Sequence, residues 1–141
     1  MPAPSAPFRI LLVEDNHGDA VLTQMALDRA SAAADFSCAV STADSIADAC
    51  SVLARETPDV IVTDLSLPDG KGADVVTSLI AAAPGVPLVV LSGDRDTGVV
   101  AESLRRGASD YLCKDDFTGP VLIDALRRST GPDSPRTEAA G

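Results

Sequence analysis

Tryptophan is absent from this 141-residue chain, and aromatic residues make up only 3% of it. A core built without large rings must come from Val, Leu, Ile and Ala, and the 45% of hydrophobic residues supplies enough of them for one domain. Long apolar runs are missing too: nothing approaches the roughly 20 residues a membrane helix needs. The opening stretch MPAPSAP has neither the basic nor the apolar region of a signal peptide, so a cytoplasmic protein without membrane association is expected. Basic charge is scarce. Eleven Lys and Arg stand against 21 Asp and Glu, a net charge of −10 that provides no basic face for non-specific nucleic-acid binding. The three cysteines, Cys38, Cys50 and Cys113, are scattered and odd in number. They suggest neither a zinc site nor a disulfide framework, and are expected as reduced core residues. Glycine-rich nucleotide motifs are absent as well, the glycines around positions 70, 72 and 93 reading as turn residues.

What is present is alternation. Short apolar runs at 8–14, 36–40, 60–64, 88–92 and 110–114 read as strands. Between and after them, 19–32, 45–55, 72–82, 97–106 and 119–128 have helical period, with Val21, Leu22, Met25 and Ala26 at core spacing in the first. Strands alternating with helices imply right-handed crossovers and a doubly wound, five-stranded parallel sheet covered on both faces. Residues 1–7 and 129–141, rich in Pro, Ala, Ser and Gly, read as disordered tails around a single domain at 8–128.

In an open parallel sheet the ligand site lies beyond the carboxyl ends of the strands. Here those ends carry Glu14-Asp15, Asp64, Ser92 and Lys114: three carboxylates, a hydroxyl and an ammonium on one rim. Asp15, Asp64 and a backbone carbonyl from the Leu65-Ser66 turn are hard oxygen ligands on one side, which suits Mg²⁺. Clustered acids repel, and a shared dication removes the repulsion while neutralising an incoming phosphoryl group. Lys114 and Ser92 can hold phosphoryl oxygens, and Asp64, flanked by these groups, is placed to act as a nucleophile forming an aspartyl phosphate. Taken singly, each residue also fits a structural role: Asp15 or Asn16 as a helix N-cap, Ser92 as a turn former, Lys114 as a solvated cation. Their convergence on one rim favours chemistry.

These residues resemble the receiver domain of two-component response regulators, including the stand-alone receivers of the chemotaxis-regulator type. The likeness spans about residues 8–128 and rests on LLVED (11–15), VTDLSLPDGKG (62–72), VVLSG (89–93) and GASDYLCK (107–114). It implies the flavodoxin-like fold with strand order 2-1-3-4-5. Asp64, Pro68 and Gly72 fit the family's D-x-x-x-P-x-x-x-G pattern, making Asp64 the phosphoacceptor. Glu14, Asp15, Asp64 and Ser66 then fall on the metal-binding positions, Ser92 on the switch hydroxyl, Lys114 on the phosphoryl-binding lysine and Tyr111 on the switch aromatic. The implied activity is Mg²⁺-dependent acceptance of a phosphoryl group from a histidine kinase or phosphotransfer protein. Only slow self-dephosphorylation is expected, with Ser66 and Asp94 tuning phosphoryl lifetime. Phosphorylation should move Ser92, turn Tyr111 inward and change the face of the fourth helix, fifth strand and fifth helix. With no output domain in the 141 residues, the expectation is a single-domain regulator, monomeric or weakly dimeric, that signals by protein contact.

Three positions depart from the family pattern. The acid pair is Glu-Asp, leaving Asp15 as the direct ligand and Glu14 reaching the metal through water. Ser92 stands where Thr is frequent. Asp115 follows Lys114 where proline after a cis bond is frequent; a cis bond before a non-proline residue costs about 2.5–4 kcal/mol. A trans bond is therefore expected, with Asp115-Asp116 toward solvent and Phe117 packed down. His17, the lone histidine, reads as a surface residue. The alternative function is a flavin- or nucleotide-binding protein of the same fold, but the acids at 14, 15 and 19 would repel a bare phosphate. A dehalogenase-like phosphatase would need an acid at position 66, which is serine.

Overall fold

The computed structural model describes residues 7–33, 37–115 and 117–130. The parts of the predicted tails at 1–6 and 131–141, the predicted start of the second strand at Phe36, and Asp116 lie outside them. In chain order the elements are β1 (Phe8–Val13), α1 (His17–Ala33), β2 (Cys38–Ala43), α2 (Ile46–Arg55), β3 (Val60–Thr63), β4 (Ser66–Leu67), β5 (Gly70–Lys71), α3 (Ala73–Ala82), β6 (Leu88–Ser92), α4 (Thr97–Arg105), β7 (Asp110–Cys113) and α5 (Gly119–Thr130). The five-stranded sheet has the order β2-β1-β3-β6-β7, every neighbouring pair parallel. Leaving aside the two-residue β4-β5 hairpin, this is the expected 2-1-3-4-5 arrangement.

Side chains alternate across the strands and split the core in two. Leu11 and Val13 of β1, Ile61, Leu88 and Val90 pack with Val52, Val75, Val76 and Leu79 from α2 and α3. Ile10 and Leu12, Val60, Val62, Val89 and Leu91 pack on the other face with Leu27, Leu122, Ile123 and Leu126 from α1 and α5. Because helices cover both faces, β3 and β6 are buried at every residue. This is why they appear in sequence as unbroken apolar runs.

Three expectations need correction. The buried face of α1 is Ala20, Thr23, Leu27, Ala30 and Ser31, while Val21, Leu22 and Met25 are exposed. Close packing selects the small-residue face: a Cβ on Gly119, at the start of α5, would come within 2.7 Å of the Ala26 carbonyl oxygen and 3.0 Å of the Ala30 Cβ. The fifth helix runs to Thr130 rather than 128, with Ser129 buried and its hydroxyl donating to the Ala125 carbonyl at 2.8 Å. Of the cysteines, all three are free, but Cys50 is exposed on α2 and the other two are only half-buried. On that amphipathic helix Ala49 and Val52 face the core, which turns position 50 outward.

Candidate functional site

The rim is set by the backbone before any side chain acts. One residue beyond the strand ends, the Glu14 amide donates to the Ala43 carbonyl (2.9 Å), the Asp64 amide to Val13 (3.0 Å) and the Lys114 amide to Ser92 (2.9 Å). Each amide is thus held by the neighbouring strand, and each side chain leaves from a fixed point.

Those side chains meet. Lys114 Nζ lies 2.6 Å from Glu14 Oε1, 2.7 Å from Asp19 Oδ2 and 3.0 Å from Asp64 Oδ2. Carboxylate oxygens of Glu14, Asp15 and Asp64 all lie within 4.8 Å of one another. Glu14 and Asp64 are buried and Asp15 is exposed, so the cluster opens to solvent on the Asp15 side. The second Glu14 oxygen accepts from the Asn16 amide at 3.2 Å. Asp64 Oδ1 accepts from the Leu65 amide at 2.7 Å, which with Lys114 on Oδ2 fixes the plane of the carboxylate. Burial pushes the Glu14 carboxyl above its ordinary range, more than the lysine and the Asn16 amide pull it down. Burial acts to lower the Lys114 ammonium, but the hydrogen bonds it donates to Asp19, Glu14 and Asp64 outweigh this and raise it.

The loop after Asp64 is tied at both ends. Gly72 sits at φ 65°, a conformation that disfavours side chains, and its amide donates to the Leu65 carbonyl at 2.8 Å. Asp69 accepts from the Ile46 and Ala47 amides at 2.8 and 3.0 Å, binding the loop to the start of α2; those bonds hold its carboxyl below the usual range.

On the far side of the rim, Ser92 is buried and its hydroxyl accepts from the Asp94 amide at 3.1 Å. The Tyr111 ring packs against the α2–α3 side of the core, and its hydroxyl donates to the Asp94 carbonyl at 2.7 Å. Burial raises the phenol above its ordinary value, and a hydrogen bond with Ser92 pulls it partly back. Beyond Lys114 the peptide bond is trans, as no described bond is cis, and Asp115 is exposed beside Arg95 at 3.8 Å. Phe117 packs on the α1–α5 side of the core, its amide donating to the Cys113 carbonyl at 3.1 Å. His17 is exposed.

Of the residues predicted for the site, Glu14, Asp15, Asp64 and Lys114 are thus brought together, and Ser92 and Tyr111 form a second group joined through Asp94. The sequence reading missed Asp19 as a partner of Lys114, and Asp69. An available signal for Asp19 was position: an acid in the first turn of a helix that follows a strand lies next to that strand's carboxyl end.

The sequence matches the response regulator receiver domain over residues 10–127. The chain belongs to that family. Among curated receiver-containing relatives, the transcriptional regulatory protein KdpE of Staphylococcus aureus is 32% identical over 119 residues, covering 84% of this chain and 46% of that protein. The probable transcriptional regulatory protein TcrX of Mycobacterium tuberculosis is 32% identical over 140 residues, covering 92% and 53% respectively. The chain thus spans about half the length of these curated relatives. Among solved receiver domains, that of a sensor histidine kinase from Pseudomonas aeruginosa, with magnesium coordinated in its active-site cleft, is 26% identical. It has a TM-score of 0.72, with 87% of this chain and 97% of that one covered. A chemotaxis-regulator-like receiver from Methanospirillum hungatei shares the fold at TM-score 0.74 and 19% identity, covering 96% and 100%. Receiver domains are phosphoacceptor modules of two-component signalling rather than enzymes in the usual sense. In this receiver no described helix is long and apolar enough to cross a membrane.

Proposed function

We propose that this receiver accepts a phosphoryl group on Asp64 from a histidine kinase or phosphotransfer protein, and that the change is read by a protein partner in the cytoplasm. The observation that carries the reading is the juxtaposition at one rim of three carboxylates within 4.8 Å and a lysine bonded to two of them. The donor set fits Mg²⁺: hard oxygens on one side, open to solvent at Asp15. Asp15, Asp64 and the Ser66 carbonyl would hold the ion directly. Glu14, with both oxygens already engaged, would reach it through water. Bound there, the cation supplies charge neutralisation for the transferring phosphoryl group.

The protein's own part is positioning. The Leu65 amide and Lys114 orient the Asp64 carboxylate toward the donor. An Asp64 oxygen forms the new O–P bond as the P–N bond of the donor phosphohistidine breaks, the electron pair returning to the imidazole nitrogen. Forming the acyl phosphate removes the carboxylate charge of Asp64 and brings that of the phosphoryl group, so Lys114 can turn an N–H to a phosphoryl oxygen. The Ser92 hydroxyl supplies a second donor, drawing on a residue that also contacts Asp94 and Tyr111.

Acetyl phosphate with Mg²⁺ should add one phosphoryl group that hydroxylamine removes, as it does from acyl phosphates, and Asp64→Asn should abolish the gain. An identical label on the variant would move the acceptor elsewhere.

A further inference from the structure

An ammonium group has three N–H donors, and at Lys114 three carboxylates take them. Two of the three, Glu14 and Asp64, belong to the cluster that also contains Asp15; Asp19 does not. Asp19 sits on the first turn of α1, where its amide is bonded by Asn16 Oδ1 at 2.9 Å. Its side chain is 41% exposed, against 4% for Glu14 and 10% for Asp64. The lysine is therefore held from inside by the acid cluster and from outside by α1.

We propose that Asp19 is a positioning residue: it keeps the Lys114 ammonium at the α1 side of the rim and out of the space between Glu14, Asp15 and Asp64. Without it, the ammonium would be held by the cluster alone, and attraction to the remaining acids would draw it inward. A lysine so placed competes with a divalent cation for the same oxygens. Asp19 thus lets a cation-binding acid cluster and a phosphoryl-binding lysine share one rim. This inference rests on the reading that the three acids hold a divalent cation.

A competing explanation is that Asp19 simply adds negative charge near the metal. The two differ in their dependence on Lys114, so a double-mutant cycle separates them. Mg²⁺ binding is measured by calorimetry on the full chain for wild type, Asp19→Asn, Lys114→Ala and the double variant, with thermal melts confirming that each folds. Asp19→Asn should weaken binding about fivefold, a small coupling between sites. In the Lys114→Ala background the same change should cost less than about twofold on that scale. Asp19→Glu should restore most of the affinity. An equal loss in both backgrounds, or no loss in the single variant, overturns the proposal while leaving the metal site standing. Failure of the wild-type chain to bind Mg²⁺ overturns the metal reading and this inference together.

Discussion

On the β1–β3 side of the rim, Glu14 and Asp64 are under a tenth exposed and share one ammonium, which α1 also grips through Asp19. On the β6–β7 side, Ser92, Asp94 and Tyr111 are joined by a few hydrogen bonds, none of them an ion pair, and Asp94 lies in an exposed loop. Loss of a charged partner in a buried site is costly, whereas a neutral hydrogen bond contributes little net stability. The contrast implies a division of labour. Under the proposed phosphorylation of Asp64, the first side would keep its chemistry in fixed positions and the second would rearrange at low cost as the charge changes.

The largest expected effect comes from breaking the rigid side. Lys114→Ala leaves Glu14 and Asp64 buried without their cation and should lower metal-free stability by about 3 kcal/mol, the low end for a broken buried pair. Urea unfolding with and without Mg²⁺ checks this, and the ion should restore much of the loss. An unchanged midpoint without metal would show that the ammonium does not hold this side together.

Next in size is the division within the acid pair. Asp15→Ala should weaken Mg²⁺ binding about a hundredfold and Glu14→Ala about tenfold, spanning the range known for partners around a metal. Equal losses by calorimetry would place both acids in the same role.

The smallest effect belongs to the looser side. Tyr111→Phe removes one hydroxyl and should cost about 1 kcal/mol or less, with faster amide exchange confined to residues 93–97. Tyr111 is the sole tyrosine and there is no tryptophan, so its ionisation can be followed by absorbance without interference. Its phenol is raised in the folded state, so its contribution to stability is present below the ordinary value of 10 and lost as pH rises through the folded value. A midpoint at or below 10 would show that the ring is not held against the core.

The rim was legible because buried parallel strands announce themselves as apolar runs, and the first polar residue after each run marks the carboxyl end. Glu14, Asp64, Ser92 and Lys114 were found that way. The face of α1 was not legible, because this helix carries apolar residues around much of its circumference. Contact with α5 at Gly119 decides which of them are covered. The β4-β5 hairpin, two residues to a strand, is too short for any period to show. Asp19 escaped because its partner lies 95 residues away and the pairing exists only once β1 and β7 lie in one sheet.

The amides of Glu14, Asp64 and Lys114 are anchored by carbonyls of Ala43, Val13 and Ser92, not by their own side chains. Main-chain geometry at these positions is consequently indifferent to what the side chain is. Each is a socket: a different acid, amide or cation can be plugged in without redirecting the chain, provided the charges balance. Glu14 in place of a shorter acid is an exchange of this kind. A scaffold with such sockets can vary its chemistry one residue at a time, and a designer could retune the rim in the same way while leaving the sheet beneath it untouched.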